Sequence, residues 1–186
     1  MSFLVLHGWQ GSGLGHWQTW LAEQLRSHGE SVRYPELPEP DTPRLDRWLE
    51  ALDAELALSP DGLVVLCHSL ACVLWLQHAH RCVDEPPVER VLLVVPPSPS
   101  ASLSGVRGFF PLAVEPEEVA RAAGSTLVVA SDDDPYCPEG ASRLYGEPLS
   151  LPVHLIGGAG HINPDAGYGP WPDVERWCLA EDGFEH

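Results

Sequence analysis

The chain contains no lysine. Its ten basic residues are all arginines, set against 27 Asp and Glu, for a formal net charge of −17. Such a surface repels phosphate backbones and anionic lipid heads, so nucleic acid and membranes are not expected partners. Cysteine is sparse and unpatterned: Cys67, Cys72, Cys82, Cys137 and Cys178 are odd in number, and no two form a C-x-x-C pair. Neither a disulfide framework nor a structural zinc site is expected, and the default compartment is a reducing cytoplasm. Long apolar runs are missing too; none approaches the roughly 18 residues that cross a bilayer. The apolar start at Met1–Leu6 has no basic flank and soon meets Gly8, which reads as a strand rather than a signal peptide. Internal repeats and low-complexity blocks are absent.

What remains is 186 residues of ordinary globular composition, which fits one domain spanning residues 1–186. Short β-branched runs alternate with helical patterns. The expected strands are Ser2–Leu6, Ser31–Tyr34, Leu63–Leu66, Arg90–Val95, Thr126–Ala130 and Val153–Ile156. Most are continuously apolar, as strands buried on both faces of a parallel sheet should be. Helices are expected over His16–His28, Pro43–Leu58, Leu70–His80, Pro116–Ala122, Glu139–Tyr145 and Pro172–Leu179, with Thr42 or Asp41 capping the second and Pro43 in its first turn. This alternation predicts an α/β fold with about six mostly parallel strands and helices on both faces. Pro96–Ala113 breaks the pattern with four prolines and the pair Phe109-Phe110. It reads either as a surface connection or as a pocket wall with both rings facing a substrate.

The densest chemical signal is Leu63-Val64-Val65-Leu66-Cys67-His68-Ser69-Leu70-Ala71-Cys72. A buried strand runs through a small residue into His-Ser-Leu, and a second small residue opens a helix. That is the layout of a nucleophile elbow, in which a strained turn lifts the Ser hydroxyl above the sheet. Cys67 and Ala71 occupy positions where glycine relieves crowding, so a slightly tight elbow is expected. A Ser after a strand can equally be a helix N-cap. A nucleophilic Ser needs a base. Of nine histidines, His161 lies in Gly157-Gly158-Ala159-Gly160-His161, a glycine-rich loop at the end of the last strand. The base needs an acid to fix its tautomer. Asp134, before Pro135, is the first choice; Asp132 and Asp133 read as solvated turn residues and Asp165 as a weaker rival. Ser, Asp, His in rising number, each after a different strand, is the chain order of α/β-hydrolases. The backbone N–H groups of Leu70 and Trp9 are the expected oxyanion donors, with the Gln10 N–H second to that of Trp9. The glycines after the first strand do not make G-x-G-x-x-G, and no GK[ST] follows, so a nucleotide loop is not expected.

These motifs resemble the small serine-hydrolase branch of the α/β-hydrolases that includes retinoblastoma-binding protein 9 and the bacterial YdeN-like proteins. The matching residues are His7-Gly8-Trp9-Gln10-Gly11-Ser12 through His16-Trp17-Gln18, then His68-Ser69-Leu70, then Asp133-Asp134-Pro135-Tyr136. Gly160-His161-Ile162-Asn163 with Gly167-Tyr168-Gly169-Pro170-Trp171-Pro172 complete the set. The resemblance implies a compact α/β-hydrolase fold without a large lid domain, with Ser69 as nucleophile, Asp134 as orienting acid and His161 as base.

The expected function is a cytoplasmic serine hydrolase, of carboxylesterase type, acting on small acyl esters through an acyl-enzyme and requiring no metal or organic cofactor. Gln10, His68, Phe109, Phe110 and Trp171 are the candidate pocket residues, and without a lid the pocket should be shallow and favour short acyl chains. The alternatives are a catalytically weak binding protein on the same fold, or acyl transfer or amide hydrolysis by the same three side chains. The expected partner is a small acyl substrate; the oligomeric state stays open.

Overall fold

The computed structural model describes residues 1–58, 62–82, 88–101, 105, 107–180 and 184. Six strands, β1 (Ser2–Leu6), β2 (Ser31–Arg33), β3 (Leu63–His68), β4 (Val88–Val94), β5 (Ser125–Ser131) and β6 (Val153–Ile156), form one sheet in the order β2-β1-β3-β4-β5-β6. Every neighbouring pair is parallel. The principal helices are α1 (Trp17–Ser27), α2 (Leu45–Ala57), α3 (Leu70–Arg81), α4 (Pro116–Ala122), the single turn α5 (Glu147–Leu149) and α6 (Pro172–Leu179).

Side chains alternate across a strand, and this alternation splits the core in two. Leu4, Leu6, Val65, Cys67, Val91 and Leu93 face a cluster with Trp48 and Leu52 of α2, Leu74 of α3 and Val119 of α4. Phe3, Val5, Val64, Leu66, Leu92 and Val94 face the opposite cluster, with Trp17, Leu21 and Leu25 of α1 and Val174 and Trp177 of α6. Both faces of the central strands are therefore covered, which explains their unbroken apolar sequence. Strand order reverses at β1, with β2 on one side and β3 on the other. The crevice beyond the carboxyl ends of β1 and β3 is where an open α/β sheet takes its ligands.

The helix expected over Glu139–Tyr145 falls later, as a π-helical turn at Ser142–Gly146 running into α5. Gly140, at φ 84°, interrupts the backbone ahead of it. Helix α2 starts at Leu45 with Arg44 as its cap, not Thr42 or Asp41. The Thr42 N–H instead closes a turn onto Glu39 O, and Arg44 is extended at φ −120°, ψ 127°, which leaves Pro43 outside the helix. Within the expected loop 96–113, Arg107–Phe109 forms a 3₁₀ turn, while residues 102–104 and 106 lie outside the described residues. Among the described residues no helix is long and apolar enough to cross a membrane.

Candidate active site

Strand β3 ends at His68 and α3 begins at Leu70, so the whole reversal rests on Ser69. Ser69 has φ 54° and ψ −119° and makes no capping hydrogen bond with its side chain. Its N–H is held by Val94 O at 2.9 Å. The hydroxyl is thus released from the N-cap role and stands at the crevice. Cys67 and Ala71, on either side of the elbow, are fully buried, and a further close approach comes from the loop after β1. A Cβ on Gly8 would sit 2.9 Å from Ser69 Cβ and 3.1 Å from His68 O. The loop after β1 therefore requires glycine at position 8 where it passes the elbow.

Three side chains from three strand ends meet there. Ser69 Oγ lies 2.9 Å from His161 Nε2. His161 Nδ1 lies 2.9 and 3.0 Å from the two carboxylate oxygens of Asp134. A carboxylate only accepts, so the His161 proton sits on Nδ1 and Nε2 is left to accept from Ser69. Asp134 Oδ1 also takes the Tyr136 N–H at 2.9 Å. All three residues are buried, Ser69 and His161 at 7% exposure and Asp134 at 5%. In a site this dry the hydrogen bonds are stronger than in water, and the arrangement can move a proton from a hydroxyl to an imidazole.

The loops that carry these groups are themselves tied together. Ser131 Oγ accepts the Ala159 N–H at 3.0 Å, Asp132 Oδ1 the Gly158 N–H at 2.7 Å and Asp133 Oδ1 the Gly160 N–H at 2.7 Å. Gly158 and Gly160 adopt φ 66° and 54°, conformations that turn successive amides toward an anion. Asp132 and Asp133 are therefore not merely solvated turn residues: they hold the loop that delivers His161. The hydroxyl of Ser131 and the Gly160 amide lower the Asp133 pKa. The pairing of an acidic run after one strand with a glycine-rich loop after the next was the available signal. His68 supplies another tie, its Nε2–H donating to His161 O at 3.1 Å. Burial, with His16 and His161 nearby, drives its pKa well down, so the ring is neutral.

A cleft of about 300 Å³ opens beside Ser69 between residues 8–13 and 163–165. Trp9, Gln10, His16, His68, Tyr136 and Asp165 are among its walls. Gln10 and His68 thus stand where expected. Leu70 N–H is the first amide of α3 and has no intrahelical partner by construction. Among the described residues none accepts the Trp9 N–H either. The Trp9 loop is braced by buried Gln18, whose Nε2 donates to Leu6 O at 2.9 Å and whose Oε1 accepts from Ser12 Oγ at 2.8 Å. Asp165 borders the cleft, but the acid on His161 is Asp134. Among the described residues no three His, Cys, Asp or Glu side chains are grouped to hold a metal ion.

Phe109, Phe110 and Trp171 do not line this cleft. Phe109 is fully buried, edge-on to Trp48 at 5.2 Å. Gln77 of α3 donates to Phe109 O and Pro111 O at 2.7 and 3.0 Å, which pins the segment over the helical layer. Phe110 borders a separate apolar pocket with Pro99, Leu112 and Leu149. Trp171 packs edge-on against Trp17 at 5.2 Å in the α1–α6 core. Phe109 and Trp171 bury their rings in the core, where apolar area removed from water stabilises them.

The serine hydrolase family pattern matches residues 3–179. YdeN of Bacillus subtilis (strain 168) is 24% identical over 171 residues, covering 91% of this chain and 90% of the relative. The solved structure of that gene product superposes with a TM-score of 0.84 at 22% identity, over 96% of this chain and 97% of that one. A YdeN-like protein of Pectobacterium atrosepticum gives 0.73 at 24% identity, over 97% and 89%. The esterase domain of a Rhodothermus marinus protein shares the fold, with a TM-score of 0.64 at 15% identity over 97% and 85%. With the family pattern running through nearly every strand and helix described above, this chain belongs to the serine hydrolase family.

Proposed function

We propose that the protein is a carboxylesterase acting on small acyl esters, with Ser69 as nucleophile, His161 as general base and Asp134 as the acid that orients it. The observation that carries this reading is the unbroken hydrogen-bond path from Ser69 Oγ through His161 to Asp134. Ser69 Oγ attacks the ester carbonyl as its proton passes to His161 Nε2. The carbonyl oxygen, now an anion, takes the Leu70 and Trp9 N–H groups; each such donor is typically worth about 10²–10³ in rate. The alcohol departs with the proton from His161. Water, deprotonated by the same imidazole, attacks the acyl group, and the tetrahedral species collapses to release the carboxylic acid and restore the Ser69 hydroxyl. Asp134 holds the Nδ1 proton throughout and stabilises the imidazolium. Buried Cys67, Cys72, Cys137 and Cys178 suit a reducing cytoplasm.

The cleft is modest and largely polar, and it shares no lining residue with the apolar pocket at Phe110. This favours short acyl chains. Ser69→Ala should reduce p-nitrophenyl acetate hydrolysis to the background of buffer and surface histidines, while the unfolding transition stays cooperative. Across acetate to octanoate esters, kcat/KM should fall with chain length. Retained turnover in the Ser69 variant rejects the mechanism; a preference for octanoate rejects the short-chain assignment.

A further inference from the structure

Besides His161 and His68, the cleft beside Ser69 is lined by a third imidazole, His16, that the reaction above leaves unused. His16 caps α1, its Nδ1 accepting the Gln18 N–H at 3.2 Å. A backbone amide only donates, so Nδ1 bears no proton and the hydrogen of the neutral ring sits on Nε2. Burial first, then the nearby His161 and His7 rings, push the His16 pKa down to about 4, so the ring is neutral at pH 7. Its orientation is set by two contacts. The cap fixes one edge, and the ring stands edge-on to His68 with centroids 4.7 Å apart.

Nε2 is the atom of interest. Among the described residues nothing accepts its hydrogen, yet it is not one of the sealed, unpartnered side-chain atoms of the interior. His16 is only 5% exposed and borders the cleft, so the opening that remains is into the cleft. Three neighbouring polar atoms on the wall are engaged: Ser12 Oγ with Gln18, His68 Nε2 with His161 O, and Asn163 Oδ1 with the Ala166 N–H. No arginine lines this cleft, and Asp165 lies on its rim. A carboxylate or phosphate on the substrate therefore meets no arginine on this wall, whereas a neutral oxygen is matched by the His16 Nε2–H, a neutral donor oriented by the N-cap. An alkyl group placed there strips water from Nε2–H without replacing the hydrogen bond, which penalises the wrong substrate.

Resting on the esterase reading above, we propose that His16 is a specificity-determining residue whose Nε2–H selects esters carrying a second neutral acceptor oxygen, ether, hydroxyl or carbonyl, close to the scissile group. Plain alkyl esters of equal length are the disfavoured substrates.

Two isosteric pairs test this. One places the oxygen in the acyl half, p-nitrophenyl methoxyacetate against p-nitrophenyl butanoate. The other places it in the alcohol half, 2-methoxyethyl acetate against butyl acetate. Each kcat/KM is divided by the hydroxide-catalysed rate of the same ester, which removes intrinsic reactivity. His16→Asn and His16→Ser both retain an N-capping oxygen for α1 while withdrawing the imidazole donor, and circular dichroism verifies that each folds. The wild-type protein should favour the oxygen-bearing ester in at least one pair, and that corrected preference should fall about 3- to 10-fold in both variants, the range of one hydrogen bond. No preference in either pair, or a preference that survives both substitutions, overturns the inference while leaving the esterase reading intact. Failure of wild-type protein to hydrolyse any of the four esters removes both.

Discussion

Ser69 sits where L-residues are strained, at φ 54° and ψ −119°, a conformation costing of order 1–3 kcal/mol for anything but glycine. That strain keeps its hydroxyl out of the α3 cap and beside His161. It yields a test independent of catalysis. Ser69→Gly and Ser69→Ala both lose the hydroxyl, but only glycine relieves the backbone, so Ser69→Gly should be more stable by about 1 kcal/mol in urea unfolding. Equal stability would show that the elbow is unstrained. The strand–turn–helix reversal at Ser69 was readable because its signals are local: an apolar strand, small flanking residues and a helical pattern directly after it. The tight contact at Gly8 was not, since Gly8 and Ser69 are brought together by β1–β3 pairing, and spacing along the chain carries no trace of which loop will press on which.

Among the elements, β1, β6, α4 and α6 end where Pro, Gly and polar clusters in the sequence put them. The 96–113 and 139–149 stretches were less legible because packing decides them: Phe109 turns inward once Gln77 takes its carbonyl, a contact 32 residues away in the chain. The loops after β5 and β6 behave as one unit. Ser131, Asp132 and Asp133 each accept an amide from residues 158–160, and Asp134 then meets His161. Asp132 and Asp133 touch no reacting atom on this account; they position the base. Replacing both with Ala should lower kcat by about 10-fold with little change in KM, because small displacements of a catalytic group are costly to the chemical step. The single Asp133→Asn change, which keeps an acceptor oxygen, should recover much of the loss. Steady-state kinetics decide it: a rise in KM alone, or no rescue by Asn, would make these residues something other than a clamp on His161.

On the scale of the whole molecule, a surface of net charge −17 surrounds an interior that holds neutral imidazoles at His7, His16 and His68. Burial is the largest cause lowering each pKa. In the unfolded chain His16 takes its proton near 6.5; in the fold it does so only at about 4. Between those values the unfolded state binds the extra proton, so stability is full above about pH 6.5 and declines as pH falls. The urea midpoint should therefore drop between pH 6.5 and 4, and His16→Asn should show a shallower drop than the wild-type protein. Parallel slopes would contradict the burial argument for His16. The fold class itself was legible, since buried parallel strands must be apolar on both faces and these runs alternate with helical patterns along the chain; only α3, buried all round from Leu70 to Leu76, is as continuously apolar. Of the cleft wall, Gln10 and His68 were legible, but the exclusion of Phe109 and Trp171 was not, because both satisfy a core as well as they would a pocket.

The account depends most on Ser69 being the group that His161 activates. Incubation of the intact protein with a fluorophosphonate probe, followed by peptide mapping, reads this directly. A single adduct on Ser69 that disappears in Ser69→Ala and is strongly slowed in His161→Ala is the predicted result; a folded wild-type protein that takes no label, or takes it on another residue, would contradict it.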